Sequence, residues 1–205
     1  MALTRALELT EAQGGSVTVL HVGDASSEPV IRKALAIGAQ EAIRIDSAAH
    51  DGMFVAAQIA DQAKKGGYDL ILMGRESIDY NGGQVAALTA AMLEWPVLNV
   101  ITKLEISNGV ATATRDIDGG KEELSASLPC VASAQKDFCE ARIPNMRGIM
   151  QARTKPLTVE ASIDAFNNTS YVSYELPPAK SGVKMIDAAN AGELIDLLHN
   201  EKKLF

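Results

Sequence analysis

The residues with the clearest chemical potential follow an apolar run in the first half of the chain. The run is YDLILMG (68–74), which reads as a buried strand, and a polar loop ending in NGGQ (81–84) leads from it into a predicted helix (82–94). Where a parallel strand ends and a helix begins, free backbone N–H groups and the helix dipole attract anions such as phosphate. Glycine lets a ligand approach the backbone closely, and Asn81 and Gln84 offer both donors and acceptors. The loop predicts an anion site, although its spacing matches neither a Walker loop nor G-x-G-x-x-G and equally suits a turn that only caps the helix.

A second junction of the same kind is HVGDASSEP (21–29), which follows a predicted strand (16–22). The carboxyl ends of parallel strands meet at one edge of a sheet, so this segment is placed to border the same crevice. On the pattern alone, a capped turn is the simpler interpretation of this second junction.

Catalytic and metal-binding groups do not cluster along the sequence. His21, His50 and His199 lie far apart, without a carboxylate or cysteine at metal-ligand spacing. Asp116 and Asp118 precede a Gly-Gly pair, which a hairpin turn explains better than a calcium loop with so few ligands. The two cysteines are too few for a disulfide framework, and no activating base lies beside them. We therefore predict no metal site, no catalytic residue and no hydrolase.

Composition excludes further classes of protein. The 205 residues are 47% hydrophobic and 22% charged, which is ordinary for a globular chain. A formal net charge of -7 argues against nucleic acid as a partner, because phosphate neutralisation needs clustered Lys and Arg. No apolar run approaches the roughly 18 residues that span a bilayer, and no signal segment opens the sequence. We expect a soluble intracellular protein that binds no nucleic acid and does not insert directly into a membrane.

Strands and helices alternate through the first hundred residues. The predicted strands are 16–22, 41–46 and 68–74, and the predicted helices are 27–39, 51–67 and 82–94. Alternation at these lengths is typical of an α/β fold with a doubly wound, mostly parallel sheet.

The pattern changes after residue 100. Turn signals at Asn108-Gly109 and Asp118-Gly119-Gly120 separate short strands and predict an antiparallel meander attached to the sheet. Residues 129–135 are a candidate for a further strand. From about residue 150 the chain carries prolines and little periodicity until a final helix within 187–205. We predict a Rossmann-like domain over 1–150 and an extended C-terminal arm over 151–205 that packs on a neighbour.

The first residues predict a helix that no strand precedes. Doubly wound domains commonly open on a strand in the middle of the sheet, and its absence leaves unpaired backbone groups and a groove beside the neighbouring strand. We therefore expect the sequence to be a fragment or to begin at a start site placed too late.

Several segments together resemble the β subunit of electron transfer flavoprotein. The first is GRESIDYNGGQVAALTAAMLEWP (74–96), which is similar to the nucleotide-binding stretch of that family. Further matches in the family's order are IRKALAIGA (31–39), TRDIDGGKEEL (114–124), LPCVASA (128–134), NMRGIMQARTKPL (145–157) and ELPPAKSG (175–182). The resemblance covers nearly the whole chain.

The resemblance implies an electron carrier subunit rather than an enzyme, with a Rossmann-like fold of the adenine nucleotide alpha hydrolase type. Such a β subunit pairs with an α subunit that holds the functional FAD, and carries AMP in its own site. The heterodimer passes electrons from acyl-CoA dehydrogenases of fatty-acid β-oxidation, and other dehydrogenases, to electron transfer flavoprotein–quinone oxidoreductase. The resemblance places it in the bacterial cytoplasm, or in the mitochondrial matrix of a eukaryote.

Two alternatives remain open at the level of sequence. In flavin-bifurcating members a second FAD occupies the β site and accepts hydride from NADH. A stand-alone adenine-nucleotide-binding sensor has a similar α/β design, although the proline-containing tail favours a permanent partner.

By correspondence with the family, the nucleotide is held by Val22 and by twelve consecutive loop residues. These are Gly74, Arg75, Glu76, Ser77, Ile78, Asp79, Tyr80, Asn81, Gly82, Gly83, Gln84 and Val85. Three of them, Tyr80 to Gly82, replace acidic or small residues of the family.

The family's partner-recognition loop corresponds to the segment CEARIPNMRGIM (139–150). Met146 stands at its apolar anchor, with Arg147 and Ile149 beside it. A flexible, polarisable methionine suits adaptable contacts with several partners. Arg147-Gly148 replaces a Pro-Asn pair, which implies a changed range of dehydrogenase partners.

Overall fold

A computed structural model describes residues 1–49, 51–79 and 81–205 of the chain. Its contacts group into two units, Met1–Ser170 and Tyr171–Phe205. The predicted role of residues 151–205 as an arm on a neighbour stays a prediction.

The first unit has the α/β architecture that the sequence predicts, with strands and helices in alternation. Its helices are α1 (Ala2–Gln13), α2 (Glu28–Ile37), α3 (Gly52–Gly66), α4 (Val85–Leu93) and α5 (Met146–Ala152). Its strands are β1 (Thr18–Val22), β2 (Glu41–Asp46), β3 (Leu70–Gly74), β4 (Val97–Ser107), β5 (Val110–Ile117), β6 (Gly120–Ser127), β7 (Cys130–Ala134) and β8 (Leu157–Ala161).

The strands form two hydrogen-bonded sheets. One is all parallel in the order β1-β2-β8, and the other runs β3-β7-β4-β5-β6. In the second sheet β3, β7 and β4 are parallel, while β4, β5 and β6 form the predicted antiparallel meander. Asn108 and Gly109 both have positive φ angles, 51° and 75°, as a tight hairpin between β4 and β5 requires.

Two helices join the sheets from opposite faces. Side chains alternate between the faces of a strand. Accordingly, Leu70 and Leu72 of β3 pack against the cluster that includes Leu9 of α1, whereas Ile71 and Met73 pack against the cluster that holds Ala60 and Ala63 of α3. Each helix also reaches the three-stranded sheet.

The contacts with the three-stranded sheet repeat the same alternation. Leu7 of α1 shares a cluster with Val19 of β1, and Phe54 of α3 shares one with Leu20. Helices α1 and α3 therefore hold both sheets in place, one helix on each face.

Helix α5 and strand β8 were not predicted from the sequence. Helix α5 is short, so its periodic signal is weak, and it is fixed by long-range contacts instead. Arg32 of α2 donates to the carbonyls of Ala152 and Lys155 at 2.8 and 2.7 Å. Lys155 Nζ in turn donates to the carbonyls of Leu35 and Ala39 at the end of α2, at 2.8 and 2.6 Å. The two helices cap each other's carboxyl ends, which local propensity does not encode.

Glycine at position 148 allows this close approach of α5 and α2. A methyl group built on Gly148 would lie 2.2 Å from the backbone oxygen of Ala36, and a backbone atom has little freedom to move away. Gly148 is therefore a packing requirement of the fold.

We predict that Gly148→Ala lowers the free energy of unfolding by about 1–3 kcal/mol, the usual cost of overpacking. Urea denaturation followed by circular dichroism measures the change. Gly192→Ala is the matched control, since Gly192 also lies in a helix and a methyl group there meets no atom within 4 Å. Equal stability of the two variants would contradict this account of the α2–α5 contact.

The second unit contains little regular structure. It has a 3₁₀ turn at Ala188–Asn190, a short helix α6 (Ala191–Asp196) and a π-helical turn at Leu197–Glu201. The predicted final helix is thus real but shorter and less regular than 187–205. Many large apolar side chains of this unit are exposed, among them Val172 and Leu176, each 95% exposed.

Candidate functional site

The first turn of α3 brings the two predicted junctions together. Phe54 packs with Val22, the last residue of β1. Two residues earlier, a methyl group built on Gly52 would lie 3.8 Å from side-chain atoms of both Gln84 and Val85, where the loop after β3 enters α4. The site therefore lies around the amino end of α3, between the carboxyl ends of β1 and β3.

The loop from Gly74 to Val85 is closed by its own backbone. The N–H of Ser77 donates to the carbonyl of Gly82 at 3.0 Å, and Asn81 adopts a left-handed conformation with φ of 58°. Asparagine tolerates this conformation better than most residues. Ser77 Oγ is buried and has no hydrogen-bond partner within the described parts of the chain. A buried hydroxyl without a partner costs free energy unless a further group binds it.

Charged side chains of the loop are largely paired or exposed. Arg75 donates to Glu76 at 2.8 Å and to Gln135 Oε1, just beyond β7, at 3.2 Å. Ile78 is 99% exposed. Tyr80 lies outside the described residues, so its predicted contact stays a prediction.

Of the three helices that follow β1, β2 and β3, α4 alone begins without a carboxylate in the described structure. Helix α2 has Glu28 in its first turn, 3.3 Å from Arg44. Helix α3 is capped by Asp51, whose Oδ1 accepts from the N–H of Phe54 at 2.8 Å. Helix α4 has no acidic residue in its first turn and no side-chain cap from Gln84. At this end an external anion would meet the helix dipole and free N–H groups, without a carboxylate from the helix's own first turn.

Asp51 is held firmly at the amino end of α3. Its second oxygen accepts from the N–H of Asn168 at 2.7 Å. Hydrogen bonds from the backbone, first that of Phe54, lower the pKa of the Asp51 carboxyl. Asp51 thus stays ionised at neutral pH and excludes a second anion from this helix.

Two loop glycines are not required by the fold. A methyl group on Gly74 would meet no atom within 4 Å, and one on Gly83 would lie 3.7 Å from the Arg75 carbonyl oxygen, an ordinary contact. Neither has a positive φ angle. Nothing in the described chain therefore requires glycine at these two positions.

The junction after β1 is fixed by the buried guanidinium of Arg44. Arg44 is 4% exposed and donates to the carbonyl of Gly23 at 3.0 Å, while pairing with Asp46 and Glu28. The side chain of His21 lies beside Gly23, since a methyl group built on Gly23 would stand 2.5 Å from His21 Nε2. Burial, and then the positive charge of Arg44, lower the pKa of His21, while Asp24 partly opposes them.

We predict that His21 makes the fold sensitive to mild acid. The pKa of His21 is lower in the folded chain than its ordinary 6.5, so above pH 6.5 both states are neutral and no stability is lost. Stability then falls as the pH drops from 6.5 through the folded pKa, because the unfolded chain binds the proton more readily. His21→Gln should flatten this part of the profile, measured by urea denaturation between pH 7.5 and 5. A folded-state NMR titration of His21 at or above 6.5 would contradict the prediction.

Groups for acid–base or metal chemistry do not converge here. No three His, Cys, Asp or Glu residues among those described are placed to hold a metal ion. Burial raises the pKa of the Cys130 thiol to about 11, so this thiol stays protonated at neutral pH.

The predicted docking residues lie together on α5. Met146 is 74% exposed, Ile149 is 40% exposed and Arg147 is also exposed. Their neighbours Ile143 and Met150 extend the apolar surface, being 90% and 65% exposed. Asn145 caps this helix by accepting from the N–H of Gly148 at 2.8 Å.

Three residues of the site were not singled out from the sequence. Asp51 and Phe54 carried a usable signal, since an aspartate before an apolar helix is a common N-cap. Arg44 stands alone in the short apolar strand EAIRID (41–46), and a lone charge there indicates a buried partner that the sequence does not name.

Similarity to known proteins identifies the family of this chain. Residues 1–165 match the model of the electron transfer flavoprotein domain. The chain belongs to the electron transfer flavoprotein family. The resemblance drawn from the sequence is thus confirmed.

Several similar proteins are named as β subunits of electron transfer flavoprotein. The chain is 34% identical to electron transfer flavoprotein subunit beta of Bacillus subtilis (strain 168), a match that covers 99% of this chain and 84% of that protein. It is 35% identical to the subunit beta of Syntrophomonas wolfei, over 100% of this chain and 83% of the relative. With the subunit beta of Sus scrofa it shares 33% identity over 82% and 70% of the two chains.

Within the described ranges, no helix has both the length and the apolar character that crossing a membrane requires.

Proposed function

We propose that this chain is the β subunit of a heterodimeric electron transfer flavoprotein, with AMP in its own site and FAD held by an α subunit. The heterodimer carries electrons from acyl-CoA and other dehydrogenases to electron transfer flavoprotein–quinone oxidoreductase, in the bacterial cytoplasm or the mitochondrial matrix. The observation that supports this most is the uncapped amino end of α4, beside a closed glycine-containing loop in a chain of this family.

The residues of the loop fit a nucleotide monophosphate. The phosphate binds the free N–H groups at the start of α4, because this helix end lacks a carboxylate. The unpartnered hydroxyl of Ser77 supplies a further hydrogen bond. Val22, an apolar residue that packs with Phe54, would offer a surface for the adenine. Bound in this way, AMP stabilises the folded chain by mass action.

The chain itself needs no acid or base for this role. FAD, when bound by the α subunit, supplies the redox chemistry, and electron transfer does not require a proton donor from β. The residues of this chain bind the nucleotide, hold the loop and present the docking surface.

Partner contact is assigned to two exposed apolar regions. Met146, Arg147 and Ile149 of α5 meet the dehydrogenase, and their helix is pinned to α2 at Gly148. The unit Tyr171–Phe205 packs on the α subunit, which would bury side chains such as Val172 and Leu176.

Nucleotide content tests the proposal directly. We expect one FAD and one AMP per heterodimer when this chain is co-expressed with an α subunit and the ligands are released by acid and separated by chromatography. Two FAD and no AMP would instead indicate a flavin-bifurcating protein with FAD in the β site. A chain that binds nucleotide as a monomer, without an α subunit, would indicate the stand-alone sensor.

We further predict that Gly83→Ala removes AMP without unfolding the chain. The added methyl group fits the protein, 3.7 Å from the Arg75 carbonyl, but enlarges the loop at the point of ligand approach. AMP affinity should fall roughly tenfold, equivalent to about 1.4 kcal/mol, while the melting temperature without ligand stays unchanged. Gly120→Ala is the control, since Gly120 begins the distant strand β6 and its methyl group meets no atom within 4 Å. Unchanged AMP content in Gly83→Ala would place the nucleotide elsewhere.

A further inference from the structure

The loop that leads into α4 contains an asparagine followed directly by a glycine, Asn81-Gly82. The same pair occurs once more in the chain, at Asn108-Gly109. In such a pair the side-chain amide of asparagine is open to attack by the next backbone nitrogen, because glycine has no side chain to shield that nitrogen. Asparagine is accordingly counted among the thermolabile residues. The chain thus places one reactive pair in two different structural settings.

The pair Asn108-Gly109 is held by the antiparallel strands on both of its sides. It forms the tight turn between β4 and β5, and Ser107 pairs directly with Val110 across it. The carbonyl of Gly109 also accepts from the N–H of Leu128 at 2.9 Å. Attack on the side chain requires the backbone to rotate out of these contacts, and a well-ordered ladder of hydrogen bonds opens rarely. The hairpin therefore protects Asn108.

The pair Asn81-Gly82 lies in a less constrained setting. Residues 81–84 belong to no helix or strand, and Asn81 is exposed. The hydrogen bond from the N–H of Ser77 to the carbonyl of Gly82, at 3.0 Å, closes the loop. Exposed segments outside regular structure open at a low cost in free energy. Asn81 is accordingly the more reactive of the two asparagines in the folded chain.

We propose that Asn81 is a deamidation site and that its conversion ends nucleotide binding by this loop. The backbone nitrogen of Gly82 forms a bond to Cγ of Asn81, the bond from Cγ to the side-chain nitrogen breaks, and ammonia leaves. Water then opens the resulting cyclic imide at either carbonyl. The net reaction converts an amide and water into a carboxylic acid and ammonia, with aspartate or isoaspartate at position 81 as the product.

Each product changes the loop in its own way. Aspartate adds a negative charge shortly before α4 begins at Val85, the helix end assigned above to the phosphate, and like charges repel. Isoaspartate runs the main chain through the former side chain. It adds one backbone atom within the stretch that the hydrogen bond between Ser77 and Gly82 closes. The loss of nucleotide binding rests on the proposed function, whereas the reaction at Asn81 does not.

Trypsin separates the two pairs, so Asn108 serves as an internal control. Cleavage after the basic residues leaves Asn81 in the peptide 76–103 and Asn108 in the peptide 104–115. The full chain is aged in mildly alkaline buffer, digested and analysed by mass spectrometry. We expect deamidation roughly tenfold faster at Asn81 than at Asn108 in the folded chain, and similar rates in urea. Equal rates in the folded chain, or a difference that persists in urea, would overturn the proposal.

Asn81→Asp reproduces the charged product for a binding measurement, and Asn108→Asp is the matched control. Aspartate tolerates the left-handed backbone at both positions, where φ is 58° and 51°, so both variants should fold.

AMP is titrated calorimetrically into each heterodimer with an α subunit after its nucleotide has been removed. We expect roughly tenfold weaker AMP binding in Asn81→Asp and no change in Asn108→Asp. Unchanged affinity in Asn81→Asp, when the parent heterodimer binds AMP, would overturn the proposed effect on binding. A parent heterodimer that binds no AMP would overturn the proposed function and this effect with it, while the comparison of rates still decides the reaction at Asn81.

Discussion

The candidate site depends on the positions of two helices, α1 and α3, which hold two separate sheets from opposite faces. No ladder of hydrogen bonds connects β1 to β3 in the described chain, so side-chain packing of these helices sets where the two strands end relative to each other. Leu7 and Leu9 of α1 lie in different core clusters, as do Phe54 and Ala60 of α3. Each cluster therefore contributes both to stability and to the geometry of the crevice.

Within that crevice, the amino ends of the three helices differ in the charges placed beside them. Three helices begin near the carboxyl ends of the parallel strands, and each directs a partial positive charge there. Asp51 accepts from the N–H of Phe54 at the start of α3, and Glu28 places a negative charge in the first turn of α2. The third, α4, keeps its free N–H groups because the residue at its cap, Gln84, does not turn back to accept them. This difference in charge supports the anion site that we propose at α4.

The elements of this arrangement that depend on local patterns could be predicted from the sequence. Alternating apolar segments located α2 to α4 and β1 to β3, and Asn108-Gly109 located the first hairpin. Features fixed by distant contacts could not be predicted from the sequence. Arg44 pairs with Glu28 on α2 and donates to Gly23 after β1, and α5 is held by hydrogen bonds from Arg32 of α2. The separation into two sheets is also a three-dimensional outcome, since a strand's apolar pattern does not say which edge finds a partner.

The contact between α5 and α2 has a consequence for the thermodynamics of docking. Because Gly148 brings the two backbones together, α5 is folded against α2 before any partner arrives. Ordering a backbone residue costs roughly 1–2 kcal/mol, so in the docking role proposed for α5 folding has already met most of this cost. Binding in that role would then restrict mainly the side chains of Met146 and Met150, which are exposed and flexible.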